Sequence, residues 1–209
     1  MSEVSDEAVL TAAEVMAVSF LDDPLNRVVL EGIAEADKLI RAHSLFLARY
    51  VFKTKNLYLL DGTDPQAFLI ACDSKKDSII KQISLRLRIV LKSFKLLNLR
   101  DFKKLSANHN ATHDIVDAMW YRRYVRGRFF RIRIAAVDRS IRGTGAFRRL
   151  LTPIIEVCNK DRIPIVVETH NPDNVGLYAH FGYELVKTIS SPKINIEQFC
   201  MIRPSVFKA

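Results

Sequence analysis

Cysteine is scarce in this chain. Cys72, Cys158 and Cys200 are the only three, none sits in a C-x-x-C pair, and an odd count speaks against a disulfide framework. They read as reduced thiols, which suits a cytoplasmic protein. The stretch Met1-Ser2-Glu3-Val4-Ser5-Asp6-Glu7 is acidic and polar, and lacks the basic start and apolar core of a secretory signal. No apolar run is long enough to span a bilayer. Internal repeats and low-complexity tracts are absent as well.

What remains is an ordinary globular composition. Of 209 residues, 49% are hydrophobic and 26% charged, enough apolar material for a sizeable core and too little charge for wholesale disorder. The length suits one α/β domain, residues 1–209, with an elaborated insertion. The net charge of +9 fits anionic cofactors, nucleic acid and acidic lipid alike, so charge alone does not choose a partner.

Helical spacing covers residues 6–20 and 34–50, with Asp23-Pro24 ending the first helix. Strands are expected at 57–60 and 66–72. From 128 the pattern turns to β-α-β-α-β-β. A strand runs to Val137, and a helix covers 145–160, with Pro153 expected to kink it. A strand follows at 165–169, then a helix at 174–181 capped by Gly182. Closing strands fall at 185–189 and 198–202.

Between Lys75 and Leu105 stand ten Lys or Arg and only two acids, Asp77 and Asp101. Ile83, Leu87, Val90, Phe94 and Leu97 recur at helical spacing and share one face. Lys81, Arg88, Lys92 and Lys95 share another. Such a helix could grip nucleic acid or an anionic membrane. It could equally be an insertion helix packing its apolar face on the domain or on a second copy, which allows a homodimer. Aromatics for base stacking are limited to Phe94 and Phe102, which favours the insertion. No nucleic-acid or membrane partner is therefore expected, and the helical insertion, about 75–121, should border the acceptor cleft. A loop is predicted over Ser106–Thr112 and a short helix near Asp114–Tyr121. His109, His113 and Asp117 have a spacing that would align metal ligands only if that loop were helical, so no metal site is expected.

The strongest local signal is Val137-Asp138-Arg139-Ser140-Ile141-Arg142-Gly143-Thr144-Gly145-Ala146-Phe147. A strand delivers the chain to a turn of small residues, and a helix begins at once. Unpaired amides at that helix start, with the helix dipole, make a cradle for phosphate or pyrophosphate. No G-K-[S/T] follows, which excludes a Walker loop, and the three spaced glycines of a dinucleotide fingerprint are missing. Taken alone, the glycines need do no more than make a bend.

Two further segments add to this signal: Pro164-Ile165-Val166-Val167-Glu168-Thr169 through Asn171 and Asn174, and Leu177-Tyr178-Ala179-His180-Phe181-Gly182-Tyr183. With Arg142-Gly143-Thr144-Gly145-Ala146 they resemble the GNAT acyltransferase superfamily. That family has a [Q/R]-x-x-G-x-[G/A] loop after a central strand, and later an Asn and an L-Y-x-x-x-G-[F/Y] element. The V-E-T strand, Asn174-Val175 and Phe20-Leu21-Asp22-Asp23-Pro24 look closest to its puromycin-acetyltransferase-like branch. The resemblance implies an α/β fold. Its mixed, mostly antiparallel central sheet would carry two splayed parallel strands, with flanking helices and a helical insertion before the central strand. It also implies acetyl-CoA as cosubstrate and a primary amine as acceptor. Backbone groups of Ala135, Ala136 and Val137 would pair with the pantetheine arm. The amides of Arg142, Gly143, Thr144, Gly145 and Ala146 would hold the pyrophosphate. Asn171 or Asn174 would hydrogen-bond the pantetheine, and Tyr178 would lie near the thioester sulfur. Phe147 departs from the motif, standing where a small residue is usual; packing inward on the helix would remove the conflict, whereas crowding the cofactor would leave a CoA-binding regulator without catalysis.

For the chemistry, Tyr178 is the candidate proton donor to the departing thiolate; a packed aromatic is its bland alternative. Glu168 is the leading general base, with a structural carboxylate an equal alternative. His170 offers the same chemistry, although an exposed loop histidine is expected there. Asp22 and Asp23 lie where an acceptor amine would enter, but Asp23-Pro24 is also an ordinary helix stop.

Overall fold

The computed structural model describes residues 5–54, 56–76 and 79–205, with the side chains of 79–82 outside the description. Asp77 and the side chain of Lys81 thus lie outside it. Helix α1 (Asp6–Asp22) starts on Ser5, whose hydroxyl accepts from the Ala8 amide at 3.2 Å. Asp23 both ends α1 and caps α2 (Pro24–Val29), accepting from the Asn26 amide at 3.0 Å. Helix α3 spans Ala36–Thr54. Strands β1 (Leu57–Leu60) and β2 (Asp64–Asp73) follow, then α4 (Ile79–Leu96) and α5 (Leu99–Ala111). Two 3-10 turns, His113–Ile115 and Trp120–Arg123, lead to β3 (Phe130–Val137). The chain closes with α6 (Ala146–Lys160), β4 (Ile165–Thr169), α7 (Asp173–His180), β5 (Glu184–Ser191) and β6 (Ile194–Arg203).

The six strands form one sheet in the order β1-β2-β3-β4-β6-β5. Only β3 and β4 run parallel; the other neighbours are antiparallel. This is the mixed, helix-flanked sheet that the family resemblance implies. Every residue from Ala67 to Cys72 is buried, because helices cover both faces of β2. On one face Ala12, Ala13 and Met16 of α1 and Ala48 of α3 meet Phe68 and Ile70. On the other, Leu150, Leu151 and Ile154 of α6 meet Leu69, Ala71 and Ile165. Helix α6 runs through Pro153 as a single helix. The three cysteines are buried thiols, outside any disulfide.

The insertion differs from its sequence reading in four ways. It holds two helices, because Asn98 accepts from the Asp101 amide at 2.8 Å and starts α5. The expected loop at Ser106–Thr112 is largely the end of α5. Asn108, a residue at home in turns, there reaches the carbonyls of Val29 and Glu31 at 3.0 and 2.9 Å, and that tertiary contact overrides local preference. The expected helix near Asp114–Tyr121 is replaced by the two 3-10 turns, so His109, His113 and Asp117 share no helix face. Finally, the apolar row Ile83, Leu87, Val90 and Phe94 is not the packing face. These side chains are 51–61% exposed, and only Leu97 of the expected row is buried.

Candidate active site

The parallel ladder between β3 and β4 is short. Phe130, Arg131 and Ile132 pair with Ile165, Val166 and Val167, and pairing stops there. At the same level the β2–β3 register shifts: Ile70 faces Ile134 and Ala71 faces Ile132, leaving Arg133 as an extra residue. An extra residue bends and twists its strand, so β3 turns away from β4. Beyond that point β3 keeps only β2, and β4 keeps only β6. The Asp138 amide donates to the Gln66 carbonyl at 2.8 Å. Counting back by alternation, Ala136 also turns its peptide groups to β2, whereas Ala135 and Val137 turn theirs into the gap.

The turn after β3 is held from below. Asp138 accepts from the Ser140 amide and hydroxyl, at 2.8 and 2.5 Å, and these bonds lower its pKa. Gly143 and Gly145 both have φ of +80°, a region that penalises any side chain. A Cβ added at either would meet nothing within 4 Å. Helix α6 then begins at Ala146 with no side-chain cap, so its first-turn amides are unspent and aimed at open space. Arg142 folds back, its Nε donating to the Val137 carbonyl at 3.1 Å.

One cleft of about 730 Å³ joins the gap to this turn. Its walls include Ala135 and Val137, Arg142, Gly143, Gly145 and Ala146, and also Glu168, Asn171, Asn174 and Tyr178. Ala136 and Thr144 do not line it. The Ala136 side chain is buried under α1, and the Thr144 hydroxyl donates to the Ile141 carbonyl at 2.7 Å. Phe147 lines the cleft and packs edge-on against Tyr178 and Phe181, with centroids 5.9 and 5.5 Å apart. The ring therefore belongs to the wall rather than to the cradle. Among the described residues no side chain of α4 or α5 lines the cleft, so the described part of the insertion does not border it as expected.

Tyr178 is 4% exposed, and its hydroxyl has no hydrogen-bond partner among the described residues. Burial, with a smaller contribution from the Glu168 charge, raises its pKa well above the ordinary value. Glu168 is engaged at both oxygens: Oε2 accepts from the Trp120 indole at 3.1 Å, and Oε1 pairs closely with Arg131. Neither partner is evident from the sequence around Glu168, because Trp120 is 48 and Arg131 is 37 residues distant. A lone clue was Arg131, a charge on a strand neighboured by apolar residues. His170 is not an exposed loop residue. It lines the cleft with its Nε2 buried and unpartnered, and burial lowers its pKa. Asn174 donates to the Thr169 hydroxyl at 3.1 Å, and Asn171 accepts from the Asp173 amide at 3.0 Å. At the opposite lip Arg139 grips both oxygens of Asp22, at 2.7 and 2.5 Å. That bond is the main reason the Asp22 pKa is lowered.

No known family profile matches the chain. Over 79 residues, 38% of its length, it is 30% identical to an uncharacterized N-acetyltransferase of Schizosaccharomyces pombe, and the match spans 28% of that protein. Among solved structures it is similar to the histone acetyltransferase HPA2 and related acetyltransferase of Corynebacterium glutamicum. The TM-score there is 0.58 at 13% identity, over 98% of this chain and 95% of that one. Arylalkylamine N-acetyltransferase 2 of Aedes aegypti gives a TM-score of 0.54 at 15% identity, over 98% of both chains. The NatC complex bound to Gag peptide and CoA gives 0.52 at 14%, over 99% and 96%. The shared property is the acetyltransferase fold.

Proposed function

We propose that the chain is an acetyl-CoA-dependent N-acetyltransferase that passes an acetyl group directly to a primary amine of a small molecule. The observation that carries this reading is the continuous cleft, in which the free edge of β3 leads into an uncapped glycine turn. The two halves suit the two halves of CoA. Peptide groups of Ala135 and Val137 offer strand-like hydrogen bonds to an extended pantetheine arm. The amides around Gly143, Gly145 and Ala146 suit a pyrophosphate, with Arg142 and Arg148 adding positive charge at the cleft wall. Ala136 has no free peptide group for this role, and Asn171 and Asn174 have part of their capacity committed to the turn before α7. The S. pombe relative is itself called an N-acetyltransferase, and one structure of the same fold holds CoA. The closer likeness to the puromycin-acetyltransferase-like branch rests on the sequence motifs.

Bound acetyl-CoA supplies the thioester electrophile. Closing amine and thioester into one cleft removes much of the entropic barrier. An amide of the Ala135–Val137 edge donates to the carbonyl oxygen as it gains charge. The amine nitrogen forms the new N–C bond, the C–S bond breaks, and the Tyr178 hydroxyl gives its proton to the departing sulfur. The proton lost by the amine passes to a base, directly or through water. Glu168 and His170 are the two candidates at the cleft. His170 is favoured by its unpartnered Nε2 and by the lowered pKa that keeps the ring neutral. Glu168 has both oxygens committed to structure. The test is mass spectrometry of the purified protein for co-purified CoA, then an amine panel assayed for thiol release. Thiol release that depends on one amine class supports the reading. Absence of both CoA binding and thiol release would overturn it.

A further inference from the structure

Helix α4 has two apolar faces. Leu85, Ile89, Ser93 and Leu96 point to the domain, and Ser93, 3% exposed, meets His43 Nε2 at 3.1 Å. Lys92 on the same side lies 4.9 Å above the Phe46 ring. Two residues out of step, Ile83, Leu87, Val90, Leu91 and Phe94 form a second row with the same helical spacing. An offset of two residues puts it on roughly the opposite side of the helix. All five side chains are 51–61% exposed, and Phe94 alone of the five rests an edge on another described ring, that of Phe102. Five adjacent large apolar groups left in water are unusual for a soluble surface.

The flanks of this row are basic. Arg86 borders it on one side, and Arg88 and Lys95 on the other; all three are exposed. No Asp or Glu occurs in α4. The next helix continues the pattern with exposed Leu99, Arg100, Lys103 and Lys104, and its one acid in that stretch, Asp101, is 5% exposed. From Ile83 to Lys104 the surface is therefore apolar and cationic, with no exposed carboxylate.

We propose that α4 docks in the plane of an anionic phospholipid surface. A convex apolar ridge between two basic rows fits such a surface. The ridge enters the acyl boundary, while the flanking Arg and Lys stems extend along it to the phosphates. A second copy of the chain fits less well, since pairing two ridges would bring acid-free basic rows together. Nucleic acid would neutralise the charges but leave the ridge in water. Phe94 and Phe102, the local aromatics, already pack on each other at 5.3 Å. This adsorption does not require that the cleft transfer acetyl groups.

The experiment is co-sedimentation of the full chain with phosphatidylcholine vesicles and with one-to-one phosphatidylcholine–phosphatidylserine vesicles. The protein should pellet with the second and stay in solution with the first. Leu87→Asp with Phe94→Asp should abolish pelleting and lower the thermal melt only slightly, because Leu87 points outward and Phe94 gives up only its edge contact with Phe102. Should that variant fold poorly, Ile83→Gln with Val90→Gln probes the same row more gently. Arg86→Gln, Arg88→Gln and Lys95→Gln should each weaken vesicle partitioning about fivefold, and added salt should do the same. Equal pelleting with both vesicles, none with either, or pelleting unchanged in the variants would overturn the proposal. So would sedimentation equilibrium showing a dimer that Leu87→Asp with Phe94→Asp dissociates, or a preference for RNA over vesicles.

Discussion

The Trp120 indole donates to Glu168 at 3.1 Å and so fastens the end of the helical insertion to the parallel strand at the cleft. Trp120 is wholly buried, and Arg131, the other partner of the carboxylate, is 6% exposed. Glu168→Gln keeps the shape and removes the charge opposite Arg131. It should destabilise the protein by about 2–3 kcal/mol, since a buried cation loses its counter-charge. A urea titration reads this as a lower midpoint. An unchanged midpoint would mean that the carboxylate is free of structural duty.

Tyr178 gives the opposite balance. Its hydroxyl has no hydrogen-bond partner to lose among the described residues, so Tyr178→Phe should leave the melting temperature nearly unchanged. If the hydroxyl protonates the leaving sulfur, turnover should fall about 100-fold or more with little change in CoA affinity, because the demand arises mainly in the transition state. Steady-state kinetics on any acceptor found, with calorimetry alongside, separates the two. Full turnover by the variant would remove Tyr178 from the reaction.

Stability should also fall in mild acid. Burial, with repulsion from Lys92 and His109, pushes the His43 imidazole from 6.5 down to about 4. The unfolded chain then takes up the proton first as pH drops, so stability is full above about pH 6.5 and is lost towards pH 4. The loss from this group is on the order of 3 kcal/mol. Burial of His109 and His170 acts in the same direction. Denaturant titrations at several pH values should show this slope, and His43→Gln should flatten it. A variant with the same slope as the parent would show that His43 is not its source.

The individual strands were legible because their signals are local, whereas their mixed order came from the family resemblance. Alternation along residues 130–137, the glycines after Val137 and Gly182 after α7 each dictate backbone geometry by themselves. The orientation of α4 was not. Its two apolar rows have the same helical spacing, so periodicity could not say which one packs, and the choice fell to His43, Phe46 and other residues far away in sequence. The same limit hid the grip on Glu168, which depends on Arg131 in the neighbouring strand and Trp120 in the insertion. The bulge at Arg133, which opens the cleft, exists only as a mismatch between two strands and leaves no mark in one of them.

The central claim is that the glycine turn before α6 cradles the pyrophosphate of CoA. Gly145 holds φ of +80° beside open space. A side chain there would strain the turn by about 1–2 kcal/mol and project into the region the ligand needs. Isothermal titration of acetyl-CoA into the parent protein and into Gly145→Val tests this most directly. The expected result is one-to-one binding by the parent and at least about tenfold weaker binding by a variant that still melts cooperatively, roughly 1.4 kcal/mol of binding energy. Equal affinity in the two proteins, or no binding by the parent, would contradict the account.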